Sequence, residues 1–507
     1  MALVNKLGLS GNPFEHYTAE TEPNIASYAV RPPYLETISN RACGLSSFIL
    51  LGDRGAGKSA TRITVYSEIW KLCAENKKGP LALNMTDFSL LLEDFGKGKL
   101  SDKDIVRSTA FFVVEQVLIW LSSLEEDDRA VYIDGLDKDE RTLVFALIKG
   151  FYLPVNDMDR SVSTGEALRL LNSAWMTKSA VWVSQRWDAL SKIVASAINA
   201  FSKKEMGDSV DISVPAEMLL ESLVGENPNA ARAVLNKLVE FVKAFGFTGV
   251  CVLVDKVDET PATSSSAEAT ARLIYPLLSH IQLLEVSGFS WLFFLWSNVQ
   301  SHFNEKYPVR LDKIAHANIT WDANSLRTMI DARLRFYSKN HISFADIFID
   351  GTDADVVFQQ LVRISVKSPR ELIKLMDIIF REHDAKGSDA PDLIDQESLT
   401  IGQDKYARET IGAWYANKPL LQVLRLGMID FVNRDVQAAF KIGDQGARVK
   451  INSWEDSGLV RQNGTAPSEL GGKQVYRYCV ADSRVQRIIE RRLDDLVGSG
   501  IAGQEAV

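Results

Sequence analysis

Three observations predict an α/β chain with a parallel-sheet core, a large helical insertion and further helical units beyond the core. First, an apolar, strand-like run ending at Leu51 leads into Gly52-Asp53-Arg54-Gly55-Ala56-Gly57-Lys58-Ser59 and then into a helix-capable segment. Second, the run Val250–Val254 is continuously apolar and capped by Asp255. Third, apolar residues recur at helical spacing over almost all of 88–245.

The first run is a P-loop in its required context, strand then Gly-x-x-x-x-Gly-Lys-Ser then helix. The glycines let the backbone curl, so that N–H groups across Gly52, Asp53, Arg54, Gly55, Ala56, Gly57, Lys58, Ser59 and Ala60 converge on one phosphate cluster. Lys58 has the reach for the β- and γ-phosphates. Ser59 is placed to ligate Mg²⁺, and the following helix offers its positive end. ATP and Mg²⁺ are the expected cofactors.

The elements follow in order. Residues 1–45 are polar and carry Asn12-Pro13-Phe14 and Val30-Arg31-Pro32-Pro33-Tyr34. Ala60–Glu75 reads as a helix and Leu81–Met85 as a second strand. Helical spacing then marks Ile105–Leu121, Thr142–Tyr152, Ala167–Met176, Ala189–Phe201, Ala216–Leu223 and Ala230–Ala244. Strand signals return at Gly249–Asp255, Trp291–Trp296 and Asn318–Trp321, with Pro261–Glu268 as a mobile loop. The expected division is 1–87 for an N-terminal segment and the first part of the core, 88–245 for the insertion and 246–322 for the rest of the core. A helical lid (323–385), a polar linker (386–404), a winged-helix-like domain (405–497) and a disordered Gly-rich tail (498–507) complete it.

Val250–Asp255 has the shape of a Walker B strand, buried on both faces of a parallel sheet. Ligands sit at the carboxyl ends of such strands, where Asp255 falls and where a carboxylate can hold Mg²⁺. Lys256 follows, so a residue to polarise the attacking water must come from Asp258 or Glu259, with Glu259 slightly favoured. Both acids could instead cap the next helix. The strand Trp291–Trp296 ends in Ser297-Asn298; either side chain suits a contact to the γ-phosphate or the lytic water.

This order of motifs, followed by Ser368-Pro369-Arg370-Glu371-Leu372, resembles the AAA+ superfamily. The nearer branches are its origin-recognition-type initiators and the STAND/KAP-like ATPases. The resemblance covers about residues 10–380 in outline and the C-terminal unit beyond. It implies ATPase activity, with Ser297 or Asn298 as sensor 1 and Arg370, opening a lid helix, as sensor 2. It also implies that Arg310 is an arginine finger, since a fixed guanidinium neutralises charge developing at the γ-phosphate; pairing with Asp312 is the local alternative. Phe14 corresponds to a segment leading toward the adenine pocket, or else staples the N-terminus to the core. Lys256 departs from the superfamily, where Glu is usual, and points to slow hydrolysis. The size of the insertion is the second departure.

In the last hundred residues Leu420–Phe431, Val436–Phe440 and Ala447–Ser457 read as helices, followed by strands at Gly458–Gln462 and Gln474–Val480. Three helices and a hairpin suggest a winged helix-turn-helix. Arg448, Lys450, Arg461, Lys473 and Arg477 are its candidate phosphate contacts, though winged helices also bind proteins. The net charge of −9 excludes a chain-wide basic field. The cysteines, Cys43, Cys73, Cys251 and Cys479, form no CxxC pair, which argues against zinc or a disulfide framework. A cytoplasmic location is expected from the start Met-Ala-Leu-Val-Asn-Lys, which lacks a signal-peptide layout. No membrane association is expected, because apolar runs such as Ser290–Trp296 are too short to span a bilayer. Three functions fit: an ATP-driven switch that oligomerises or signals to a protein effector, with defence against phage as one setting; a DNA-binding initiator or transposition regulator; or a scaffold with a weak nucleotide site.

Overall fold

The computed structural model describes residues 3–502 apart from 19–20, 23–24, 29–33, 75–77, 157, 161, 165–166, 168–169, 172–228, 265, 413–414, 416 and 468–473. Two compact units divide the chain: Pro23–Thr320, and Met1–Glu22 together with Trp321–Val507.

The first unit is built on a five-stranded parallel sheet, β1 (Phe48–Gly52), β2 (Leu81–Met85), β3 (Val250–Val254), β4 (Phe289–Trp296) and β5 (His316–Asn318), in the order β2-β3-β4-β1-β5. β1 and β3 are buried along their whole length and β4 along all but its last residue, as their unbroken apolar sequences require. β4 lies between the P-loop strand and the Asp255 strand, which is the AAA+-type arrangement of a P-loop NTPase. The expected last strand, Asn318–Trp321, is displaced. Pairing with β1 runs from His316 to Asn318 and stops where β1 reaches Gly52 and turns into the loop.

The helix Asp102–Ser123 carries the insertion. Ser101 and Asp104 form a reciprocal capping box at its start. It is long and apolar enough to cross a membrane by length and composition, yet 94% of its most apolar window is buried within the protein. It packs on Ala230–Ala244, whose bounds match the sequence expectation. The expected Thr142–Tyr152 helix starts earlier, at Lys138, because Asp137 and Glu140 form a second capping box; it ends as a π-helical turn, Ile148–Tyr152. The expected helices Ala189–Phe201 and Ala216–Leu223, and most of Ala167–Met176, lie outside the described residues.

In the second unit the lid helices Ala323–Tyr337, Ala354–Ile364 and Pro369–Asp384 share one core with Leu3, Leu7, Leu9 and Phe14. Residues 1–22 therefore cluster with 321–507 and not with the sheet unit, unlike the expected 1–87 division. Residues 386–404 are not a loose linker. Ile394 is fully buried and bridges Phe348, Lys386 pairs with Asp395 at 2.7 Å, and the helix Gln396–Ile411 begins within the stretch. That helix lies against the last lid helix so closely that a Cβ on Gly402 would stand 2.6 Å from Ile379.

The C-terminal unit has helices Asn417–Leu426, Asn433–Phe440 and Asp444–Asp456 beside an antiparallel sheet of β6 (Asp430–Val432), β8 (Gln474–Val480) and β7 (Val460–Pro467). These elements enclose the buried Trp454. The expected Leu420–Phe431 helix stops at Leu426 because Gly427 adopts φ +67° and leads into β6. Of the tail expected to be disordered, Ser499–Ala502 is a short helix, and 503–507 lie outside the described residues. That helix packs on Asn417–Leu426, where Gly427 and Gly498 approach too closely to admit a Cβ at residue 427.

Candidate functional site

The P-loop forms because β1 delivers the chain to the carboxyl edge of the sheet and two glycines turn it. Gly55 (φ +82°) and Gly57 (φ +90°) take backbone conformations closed to most side chains. The helix Lys58–Ala74 starts at once, so its first free N–H groups border the loop. Lys58 is buried. Its Nζ donates to the carbonyls of Gly52 at 2.8 Å and Asp53 at 3.0 Å, holding the ammonium across the loop mouth.

The neighbouring strand ends converge on this loop. The Ser297 N–H donates to Gly52 O at 3.2 Å, and its hydroxyl donates to the Asp53 carboxylate. Asn298 is exposed and begins the next helix without a capping hydrogen bond from its side chain. The two candidates that sequence leaves open thus stand apart here, and Ser297 is the one tied to the P-loop. Arg54 ion-pairs with Asp258 at 3.2 Å and lies over the Trp296 ring, 4.5 Å from its centroid. Asp258 is buried and Arg54 half-buried, whereas Glu259 is exposed at the end of the 3₁₀ turn Val257–Glu259.

Asp255 lies where expected, at the end of β3, but it has a partner that sequence reasoning missed. Arg62, 1% exposed, donates from Nε to Asp255 Oδ2 at 3.0 Å and from Nη1 to Asn84 Oδ1 at 2.7 Å. The Lys256 N–H donates to Asp255 Oδ1 at 2.9 Å. Lys256 itself holds a left-handed backbone, φ +62°, which swings the chain away from the strand. The available signal was a lone arginine three residues after Ser59, inside a helix segment whose neighbours Ile63, Val65 and Tyr66 are buried.

Ser59 and Asp255 are the residues that would hold Mg²⁺. Mg²⁺ demands near-octahedral oxygen donors and dehydrates reluctantly. Here both oxygens of the one strand-end carboxylate accept protein hydrogen bonds, and a guanidinium cancels its charge. This donor set does not suit a tightly held Mg²⁺. Among the described residues no other group of three or more His, Cys, Asp or Glu side chains is arranged for a metal.

Three further expected site residues have these surroundings. Arg310 is exposed and paired twice with Asp312, at 2.8 and 2.7 Å. Arg370 lies in the first turn of Pro369–Asp384, which Ser368 caps. Phe14 is fully buried edge-on against Phe380, 5.1 Å between centroids.

No family model matches the chain, and no curated protein matches it. Among solved structures it is similar to the Aeropyrum pernix ORC2 protein in its ADP form, at 13% identity and a TM-score of 0.38 over 98% of each chain. It is also similar to the ORC1 protein of the same organism in complex with DNA, at 10% identity and a TM-score of 0.33 over 94% of each chain.

Proposed function

We propose that this chain is an ATP-binding switch of the origin-recognition-like AAA+ type that contacts duplex DNA through its winged-helix-like unit and turns ATP over slowly. The observation that carries the nucleotide part is the P-loop, with Gly55 and Gly57 in left-handed conformations and Lys58 drawn over the loop. On binding, Lys58 exchanges two carbonyl oxygens for phosphate oxygens. The loop N–H groups and the helix start supply the remaining donors. Ser297, already on the loop, is the side chain proposed to register the γ-phosphate. Slow turnover follows from Lys256 at the position where glutamate is usual and from Asp258 being committed to Arg54. Arg370 and Arg310 are proposed as the lid and neighbouring-copy cations.

The DNA part is favoured by two cations over one ring and a third whose charge reaches them. Lys450 lies 4.7 Å and Arg425 5.9 Å from the Phe440 centroid. Burial pushes the Lys450 ammonium down, and the charges of Lys418 and Arg425 push it the same way. Like charges gathered on one face form a site for phosphates. Of the cations expected from sequence, Arg448 pairs with Asp444 at 3.0 Å and Arg477 with Asp430 at 3.2 Å, and Lys473 lies outside the described residues. No observation favours the STAND/KAP-like branch or a defence setting, and neither is part of the proposal.

The test is a titration of the full chain with a fluorescent ATP analogue, its mass followed by light scattering. Wild type is expected to bind and Lys58→Ala to lose binding altogether. Equal affinity in the two would sink the site assignment. A mass that stays constant through saturation would remove Arg310 from the proposal.

A further inference from the structure

One cation in the nucleotide site is unused by this reading. Arg62 stands one helical turn beyond Ser59, its guanidinium gripped from two strands: Asp255 at the end of β3 and Asn84 near the end of β2, which pair side by side. The side chains of Arg62 and Asp255 are 2% and 3% exposed. Arginine is always charged and carries five N–H donors in a rigid fork. It therefore cannot release the carboxylate by deprotonating. Water does not screen so deeply buried a pair. The carboxylate that would draw a divalent cation beside the phosphates is thus already neutralised by a group anchored on both sides.

We propose that Arg62 is a resident counter-ion that takes the electrostatic place of Mg²⁺, so that this site accepts the nucleoside polyphosphate as a metal-free anion. Arg62 is a positioning residue: it is buried, bound to Asp255 and Asn84, and acts by keeping Asp255 from metal. Phosphate charge is met instead by Lys58, the loop N–H groups and the helix start. The inference rests on the nucleotide reading above.

The experiment compares the affinity of the full chain for methylanthraniloyl-ATP in excess MgCl₂ and in EDTA. For wild type the two affinities are expected to agree. In Arg62→Met, which keeps the length and apolar stem but frees Asp255, Mg²⁺ is expected to favour binding by about 10–100-fold, the range set by outer-shell partners of metal sites. Arg62→Lys restores the charge and is expected to behave as wild type. A wild-type affinity that collapses in EDTA overturns the proposal and leaves the nucleotide reading standing, whether or not Arg62→Met folds. A folded Arg62→Met, judged by its circular-dichroism melt, with the wild-type ratio overturns it too. Absence of binding in both conditions fails the nucleotide reading, and this inference with it.

Discussion

At the scale of single residues, buried charge in the P-loop unit is handled in two ways. Asp255 meets a guanidinium, whereas Glu115, on the helix Asp102–Ser123, has hydroxyl partners only. Ser163 and Thr164 donate to its two oxygens at 2.5 and 2.7 Å, and burial still pushes the carboxyl up to about 7. A carboxyl whose folded-state pKa is raised holds its proton more tightly in the native than in the unfolded chain. It therefore stabilises below the ordinary value of 4.5, and that contribution is lost as pH rises toward 7. Over this window wild type is expected to lose about 3 kcal/mol of stability relative to Glu115→Gln, which has no proton to lose. Urea unfolding of the two proteins across the range checks it. Parallel pH profiles would show that Glu115 is ionised throughout. Neither feature was legible from sequence. The partners of Glu115 lie 48 and 49 residues away, and Asp255 lies 193 residues from Arg62. Pattern along the chain carries periodicity, not pairing across such distances.

At the scale of elements, the legible parts are those whose residues declare a single environment. β2 runs over Leu81–Met85 and the helix over Ala230–Ala244, as their apolar patterns imply. β6 was missed because Asp430-Phe431-Val432 buries only its middle residue and draws its pairing from β8. The N-terminal segment was misplaced for a related reason: Phe14 is apolar in any reading, and only the fold says which core receives it. Here Phe14 sits in the lid core, and the segment around it is tied down. Asn12 donates to Asp377 at 3.0 Å, Arg333 pairs with Glu22, and the Tyr337 hydroxyl donates to Glu22 at 2.8 Å. Removing an aromatic ring from such a site costs about 3–5 kcal/mol. Phe14→Ala is therefore expected to lower the stability of its unit by that amount, read as an earlier melt, and to leave ATP affinity unchanged. An unchanged melt with lost ATP affinity would instead return Phe14 to the nucleotide.

At the scale of the whole molecule, charge decides how DNA can be met. With a net charge of −9, long-range steering repels a polyanion, so binding has to be earned locally against that background. The cations near Phe440 and the exposed Arg461 are the candidates, because Arg448 and Arg477 would first have to leave Asp444 and Asp430. Exposed ion pairs of that kind are worth only about 0–1 kcal/mol, so they delay contact and do not forbid it. Each phosphate neutralised contributes about 0.9 to the slope of log affinity against log salt on duplex DNA. Fluorescence anisotropy of a duplex at several salt concentrations is expected to give a steep negative slope for wild type. Replacing Lys418, Arg425 and Lys450 together by alanine is expected to flatten it by about 2–3 units and to weaken binding similarly on unrelated sequences. All three substitutions lie in the winged-helix-like unit, so a folded triple variant with the wild-type slope would turn that face from nucleic acid toward a protein partner.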